Sequence, residues 1–76
     1  MTAAPEIDGV IRNATIEPVP GGDDKFWARG ALYGDRKGRF PDGERIHTSY
    51  IVSGPDADGI IRTRNSVYRV ELATGQ

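Results

Sequence analysis

The residues best suited to contact a ligand lie in the second half of the chain, on two segments with alternating polar and apolar residues. These segments are 44–52 and 60–68, and turn-forming residues fill 54–59 between them. Alternation with a period of two predicts β-strands, and a Gly-, Pro- and Asp-rich loop between two such runs predicts an antiparallel hairpin.

A hairpin that closes symmetrically would place Val52 opposite Ile61 and Tyr50 opposite Thr63. That register gives one face of the hairpin to residues that a core would bury and the other face to polar residues. The polar face forms a basic stripe, composed of Arg45, His47, Ser49, Arg62 and Arg64. We take this stripe as the first candidate binding surface.

After the hairpin, the apolar residues that alternate along the chain fall at even-numbered positions, whereas Ile61 falls at an odd-numbered position. A change of parity requires an extra residue, so the sequence predicts a bulge or a tight turn at residues 64–66. Irregularities of this kind often direct side chains towards a site, which makes Arg64 and Asn65 candidates. The set that we expect to be buried is Tyr68, Val70 and Leu72.

A second cluster of cations lies in the glycine-bounded turn 34–38 and just after it. Backbone amides in such a turn can surround an anion as a nest, with cationic side chains beside it. The candidates here are Arg36, Lys37 and Arg39.

Aromatic residues supply a third kind of candidate. Trp27 and Tyr33 share one face of a predicted strand with Arg29. Proteins that bind single-stranded nucleic acid stack bases on such rings beside cations. The alternative is that a chain this small uses its large aromatic side chains to build the core.

Enzymatic and metal-binding patterns are mostly missing. His47 is the only histidine and there is no cysteine, which excludes metal sites built from these residues. Residues 56–59 resemble part of a calcium loop but lack its closing glutamate. On a strand, His47 would pair with Ser49 or Ser66 and not with its neighbour Thr48. We expect no catalytic, metal or cofactor site.

The 76-residue length predicts one domain spanning 1–76, with residues 1–6 and 73–76 frayed. The sequence shows no secretion signal and no transmembrane segment, so we expect a cytoplasmic protein without membrane contact. The absence of cysteine fits a reducing compartment. Dimerisation would be a second way for so short a chain to bury apolar surface.

Charge is segregated along the chain although its total is only −1. Residues 1–24 carry a net charge of −4 and residues 25–70 a net charge of +4. Most of the cations in the second segment are arginines, which favour bidentate contacts with phosphate or carboxylate. The segregation suggests a polyanionic partner, while the alternative is that the arginines keep exposed strands soluble.

The fold class is predicted to be all-β, because ten glycines and five prolines punctuate the chain and no segment keeps a helical apolar period. We expect about five antiparallel strands in a meander that forms a small barrel or a strongly curled sheet. The predicted strands are 10–16, 25–33, 44–52, 60–63 and 67–72.

Three segments, 27–35, 38–49 and 61–70, together resemble small all-β proteins of phages, prophages and plasmids, over residues 10–72. The resemblance implies a setting and assigns no site residues. Small proteins of mobile elements often act by docking onto a host macromolecule, such as a nucleic-acid-targeting defence complex.

Three hypotheses about function follow. The first is a non-enzymatic binding protein that docks onto a host protein or complex through the basic stripe and inhibits it. The second is a small-barrel module that binds nucleic acid or nucleotides directly, with cations on phosphates and Trp27 or Tyr33 stacking on bases. The third, which we rank last, is a small hydrolase.

Overall fold

The computed structural model describes residues 7–73, and within that range the chain forms strands and no helix. It therefore contains, in this range, no helix that could span a membrane. The all-β prediction is confirmed. The strands are β1 (Gly9–Pro18), β2 (Phe26–Tyr33), β3 (Glu44–His47), β4 (Ile51–Ser53), β5 (Ile60–Thr63) and β6 (Val67–Leu72).

All six strands belong to one mixed sheet with the order β3-β2-β1-β6-β5-β4. The central pair, β1 and β6, is parallel, and the other neighbours are antiparallel. The prediction of five antiparallel strands in a meander is therefore wrong, because the first and last strands pair in the middle of the sheet. No ladder joins β3 to β4, so the sheet is not closed into a barrel.

The predicted strand 44–52 is in fact two strands at opposite edges of the sheet, joined by residues 48–50. Thr48 is the residue at which the predicted strand is interrupted. Its N–H donates to the Ala28 carbonyl over 2.9 Å, and its Oγ1 accepts from the Ala28 N–H over 3.1 Å. Thr48 is buried, and beyond it the chain leaves β2 for the other edge.

This short link between the edges requires the sheet to curl. The four residue steps from His47 to Ile51 can span at most about 14 Å. Six strands laid flat would separate the two edges by about 24 Å. The open sheet must therefore bend until β3 and β4 approach each other.

A bulge in β1 contributes to the bend. The pairing with β2 shifts between Arg12 and Thr15, and Asn13 has a φ of 56°. Gly30 faces the bulge, where an added Cβ would lie 2.8 Å from the Arg12 carbonyl oxygen and 2.8 Å from Ile11 Cγ2. A bulge increases the local twist, and here only glycine leaves room for it.

The core lies on the concave face of the sheet and confirms part of the predicted buried set. Tyr68 and Val70 are buried as expected, whereas Leu72 is 55% exposed at the end of β6. The N–H of Ala73, the first residue of the predicted frayed end 73–76, donates to the Ala14 carbonyl. The other residues predicted to be frayed, 1–6 and 74–76, lie outside the described range. The core cluster is Ile11, Ala14, Ala28, Leu32, Ile61, Tyr68 and Val70.

The hairpin of β4 and β5 does not have the symmetric register predicted from the sequence. Ile51 pairs with Thr63, and Ser53 pairs with Arg62. The shift between these pairs leaves Val52 on the outside, 63% exposed. The predicted assignment of Val52 to the buried face is therefore wrong.

Hydrogen bonds within the loop fix where this hairpin closes. The Asp56 carboxylate accepts from the N–H groups of Asp58 and Ile60, both over 2.9 Å. Asp56 thus acts as a turn former, as expected for this residue type.

The tight turn predicted at residues 64–66 is confirmed. The N–H of Thr63 donates to the Ser66 carbonyl over 2.8 Å, and the N–H of Ser66 donates to Thr63 Oγ1 over 3.1 Å. Both residues are buried. The turn therefore presents Arg64 and Asn65 outwards from a fixed base.

The predicted anion nest in turn 34–38 is filled by a side chain of the turn itself. The Asp35 carboxylate accepts from the backbone N–H groups of Lys37, Arg39 and Phe40 over 2.7–3.2 Å. Burial opposes ionisation of this carboxyl, but these bonds and the Arg39 guanidinium outweigh it and lower the pKa of Asp35.

The different burial of Tyr68 and Leu72 predicts that their replacement by alanine changes the stability of the protein to different extents. Tyr68→Ala should lower the free energy of unfolding by roughly 2–4 kcal/mol, because it empties a buried site. Leu72→Ala should change it by under about half a kcal/mol, because the side chain is exposed. Urea unfolding followed by far-UV circular dichroism measures both, and equal losses would contradict the assigned burial.

Asp35 should make stability depend on pH in acid. Since its pKa is lower in the fold than in the unfolded chain, its contribution is present above the unfolded pKa and is lost as the pH falls through the folded pKa. Asp35→Asn should unfold at lower urea near neutral pH and lose less of its remaining stability on acidification. Identical pH profiles for both proteins would rule out this role of the carboxylate.

Candidate functional site

A cleft of about 380 Å³ opens where residues 48–50 cross between the two edges of the sheet. We refer to it as the crossover cleft. Four of the candidates taken from the sequence meet there, from β2, β3 and the β5–β6 turn: Trp27, His47, Arg64 and Asn65. The remaining lining residues are Val19, Thr48, Ser49 and Tyr50.

Two stacked aromatic rings form one wall of the crossover cleft. The ring centroids of Trp27 and His47 are 3.9 Å apart, with 30° between the planes. The register explains the contact, because His47 pairs with Arg29, the outward neighbour of Trp27 on β2. Each ring covers one face of the other, and the Arg29 guanidinium lies 6.0 Å from the Trp27 centroid. Since His47 is exposed, a third planar group can extend the stack on the outer face of its imidazole.

Glu17 fixes the edge of the indole ring. Its Oε1 accepts from Trp27 Nε1 over 3.4 Å and from Arg29 Nε over 3.0 Å, and its Oε2 accepts from the Thr15 hydroxyl over 3.0 Å. The Arg29 and Thr15 hydrogen bonds hold the pKa of Glu17 below its ordinary value. Glu17 therefore remains an anion that orients Trp27 and neutralises Arg29.

Two cations accompany the rings. Arg64 is exposed at the cleft and makes no hydrogen bond or ion pair with any residue that the structure describes. The Nζ of Lys25 lies 5.4 Å from the centroid of the Tyr50 ring. A ligand anion would thus meet a guanidinium that no carboxylate of residues 7–73 has already neutralised.

A polar edge completes the crossover cleft. Asn65 Nδ2 donates to Ser49 Oγ over 3.2 Å, which joins the turn to the crossing link. Behind it, Lys37 Nζ donates to Ser66 Oγ over 2.7 Å and to the Asn65 carbonyl over 3.0 Å. Lys37 therefore holds the turn in place and does not face the cleft.

Arg39 and Arg36 also lie outside the crossover cleft. Arg39 donates through its guanidinium to the Tyr68 hydroxyl over 3.3 Å and lies near the Asp35 carboxylate. The N–H of Arg36 donates to the Asp8 carbonyl over 2.7 Å. The loop cations thus fasten loop 34–43 to the sheet.

The basic stripe is divided, because His47, Ser49 and Arg64 line the crossover cleft and the other two members do not. Arg45 and His47 lie on the edge strand β3, whereas Arg62 lies on β5, next to the opposite edge. The prediction that they share a hairpin face is wrong, because the predicted strand 44–52 is broken at Thr48. Tyr33 stands apart from the crossover cleft, on the far end of β2.

His47 does not pair with either of the two serines that the sequence offered it among the described residues. Its Nδ1 lies 3.3 Å from the Thr48 carbonyl oxygen, and in residues 7–73 it makes no hydrogen bond with Ser49 or Ser66. The same part of the chain holds no group of three or more histidine or carboxylate side chains placed to hold a metal ion.

Sequence reasoning missed one aromatic residue that lines the cleft and the cation that lies over its ring. Tyr50 was assigned to the buried face of the hairpin, and Lys25 was assigned only to a strand. No local pattern in the sequence indicates that these two residues meet, because their contact depends on the crossing link and on the turn before β2.

Comparison with models of protein families, with curated proteins and with solved structures gives no match to this chain. The chemistry of the crossover cleft is therefore the basis for a functional proposal.

Proposed function

We propose that this protein is a non-enzymatic module that binds single-stranded nucleic acid in the crossover cleft. The observation that carries the proposal is the stacked pair of Trp27 and His47 beside the guanidinium of Arg64, which has no partner among residues 7–73. A nucleotide offers both matching groups, a planar base and an anionic phosphate.

The stacked rings favour unpaired bases over a duplex. Within a duplex the faces of each base are covered by its neighbours, whereas an unpaired base can continue the stack of Trp27 and His47. The amide of Asn65 and the hydroxyl of Ser49 offer hydrogen bonds to the edge of such a base.

The charge distribution is compatible with this ligand. The whole chain carries −1, so attraction to a polyanion has to be local. Arg64 lines the crossover cleft, Lys25 lies over the ring of Tyr50, which also lines it, and the nearby Glu17 is already paired with Arg29. Phosphate contacts from a few cations make binding strongly dependent on salt.

A titration with a fluorescein-labelled oligo-dT strand tests the proposal. Fluorescence anisotropy should rise on binding at low salt, and log affinity should fall with log salt by about 0.7 per phosphate contacted. A duplex of the same length should bind more weakly. No change in anisotropy at low salt would eliminate direct nucleic-acid binding.

Two arginines serve as a matched pair of variants. Arg64→Ala should weaken oligo-dT binding roughly tenfold, because a charge-assisted contact is lost. Arg62→Ala should have little effect, since Arg62 is equally exposed but lies outside the crossover cleft. Equal losses from both would show that exposed cations attract the strand without any preference for the cleft, and no loss from Arg64→Ala would exclude the cleft as the binding site.

A second candidate function is docking onto a host protein, and a separate groove favours it. Phe26 and Val52 are 46% and 63% exposed, and they border a groove of about 220 Å³ with Ile16, Ile51 and Pro55. The groove lies along β4, an edge strand to which an extended segment of a partner can pair. An inhibitor of a nucleic-acid-handling complex would use such a surface.

Val52→Lys separates the two candidates. Immobilised wild type should retain host proteins that the variant loses, while the variant should bind oligo-dT as wild type does. Retention of the same proteins by both would argue against this groove as the docking surface.

A further inference from the structure

Outside the crossover cleft, the convex face of β2 carries a line of outward side chains. They alternate with the buried residues Ala28 and Leu32, so they share one face of the strand. The line consists of Trp27, Arg29, Ala31 and Tyr33. It leads from the crossover cleft to the far end of the strand.

The register places two arginines across this line. Ala31 pairs with Arg12 of β1 on one side and with Arg45 of β3 on the other. Arg45 is exposed and makes no hydrogen bond or ion pair with any residue in 7–73. The Cζ of Arg12 lies 5.1 Å from the centroid of the Tyr33 ring, which places a cation beside a second aromatic ring.

The carboxylates that the register brings to this face are both paired. Glu17 accepts from Arg29 over 3.0 Å, and Glu71 lies 3.3 Å from Arg12. An approaching phosphate chain therefore meets neutralised carboxylates and the guanidinium of Arg45, which is unpaired within the described range.

The length of the line exceeds one nucleotide. Trp27 and Tyr33 are six residues apart, which corresponds to about 20 Å along a strand. A ligand that contacts both rings must be a chain of several nucleotides.

We infer that a single strand held in the crossover cleft continues along the convex face of β2, with Arg45 on its phosphates and Tyr33, beside Arg12, as a second stacking ring. This extension rests on the proposed function and names the ligand more closely, as an oligonucleotide and not a free nucleotide. Arg45 is its most direct test, because it has no other partner among the described residues.

The experiment compares an oligo-dT trinucleotide with a twelve-nucleotide oligo-dT, using the fluorescence of Trp27, the only tryptophan, as a common signal. The longer strand should bind at least tenfold more tightly. Arg45→Ala should weaken binding of the longer strand about fivefold to tenfold and reduce its salt slope by about one. The trinucleotide should bind this variant as it binds wild type.

Two further variants sharpen the comparison. Arg45→Lys keeps the charge and should recover most of the affinity for the longer strand. Arg62→Ala removes an exposed arginine that lies on neither surface and should leave both affinities unchanged.

Each other outcome has a definite meaning. If both strands bind equally, or if Arg45→Ala weakens neither or weakens both alike, the crossover cleft remains and the extension is overturned. If neither strand binds, the proposed function fails, and the extension fails with it.

Discussion

The structure depends on one constraint, the three-residue link between strands at opposite edges of the sheet. Residues 48–50 can join β3 to β4 only if the sheet curls, and Thr48 fixes the departure point through two hydrogen bonds with Ala28. The bulge at Asn13, accommodated by Gly30, gives the sheet the required bend. Since the same link lines the crossover cleft, the constraint that shapes the fold also creates the site.

The environment of each cation separates structural from ligand-directed roles. Lys37 and Arg39 have protein acceptors and hold loop 34–43 against the sheet. Arg29 is neutralised by Glu17, which also orients Trp27. Arg64 and Arg45 have no such acceptors in the described part of the chain. Sequence composition shows all of them as equal positive charges, and only the folded contacts distinguish them.

The sequence predicted what local patterns determine and failed where distant residues decide. Strands 60–63 and 67–72 and the turn at 64–66 were predicted correctly, because alternation and turn residues are local signals. In residues 44–52, by contrast, the alternation of the sequence shows no break. The predicted strand is interrupted at Thr48 because Thr48 forms hydrogen bonds with Ala28, which lies twenty positions earlier. The parallel pairing of β1 with β6 joins residues that are still further apart in the sequence. The site was therefore only partly predictable. Trp27, His47, Arg64 and Asn65 were named as candidates, and His47 and Arg64 were placed on one stripe, but the contact of this stripe with Trp27 was not predicted.

The most direct test of the account is a nuclear magnetic resonance titration of the ¹⁵N-labelled protein with oligo-dT. The indole N–H of Trp27 provides a single resonance from the stacked wall of the crossover cleft. The account predicts that this signal and those of Ser49, Arg64 and Asn65 shift together and saturate at one affinity. Saturating oligo-dT that leaves the Trp27 and Arg64 signals unchanged would contradict it.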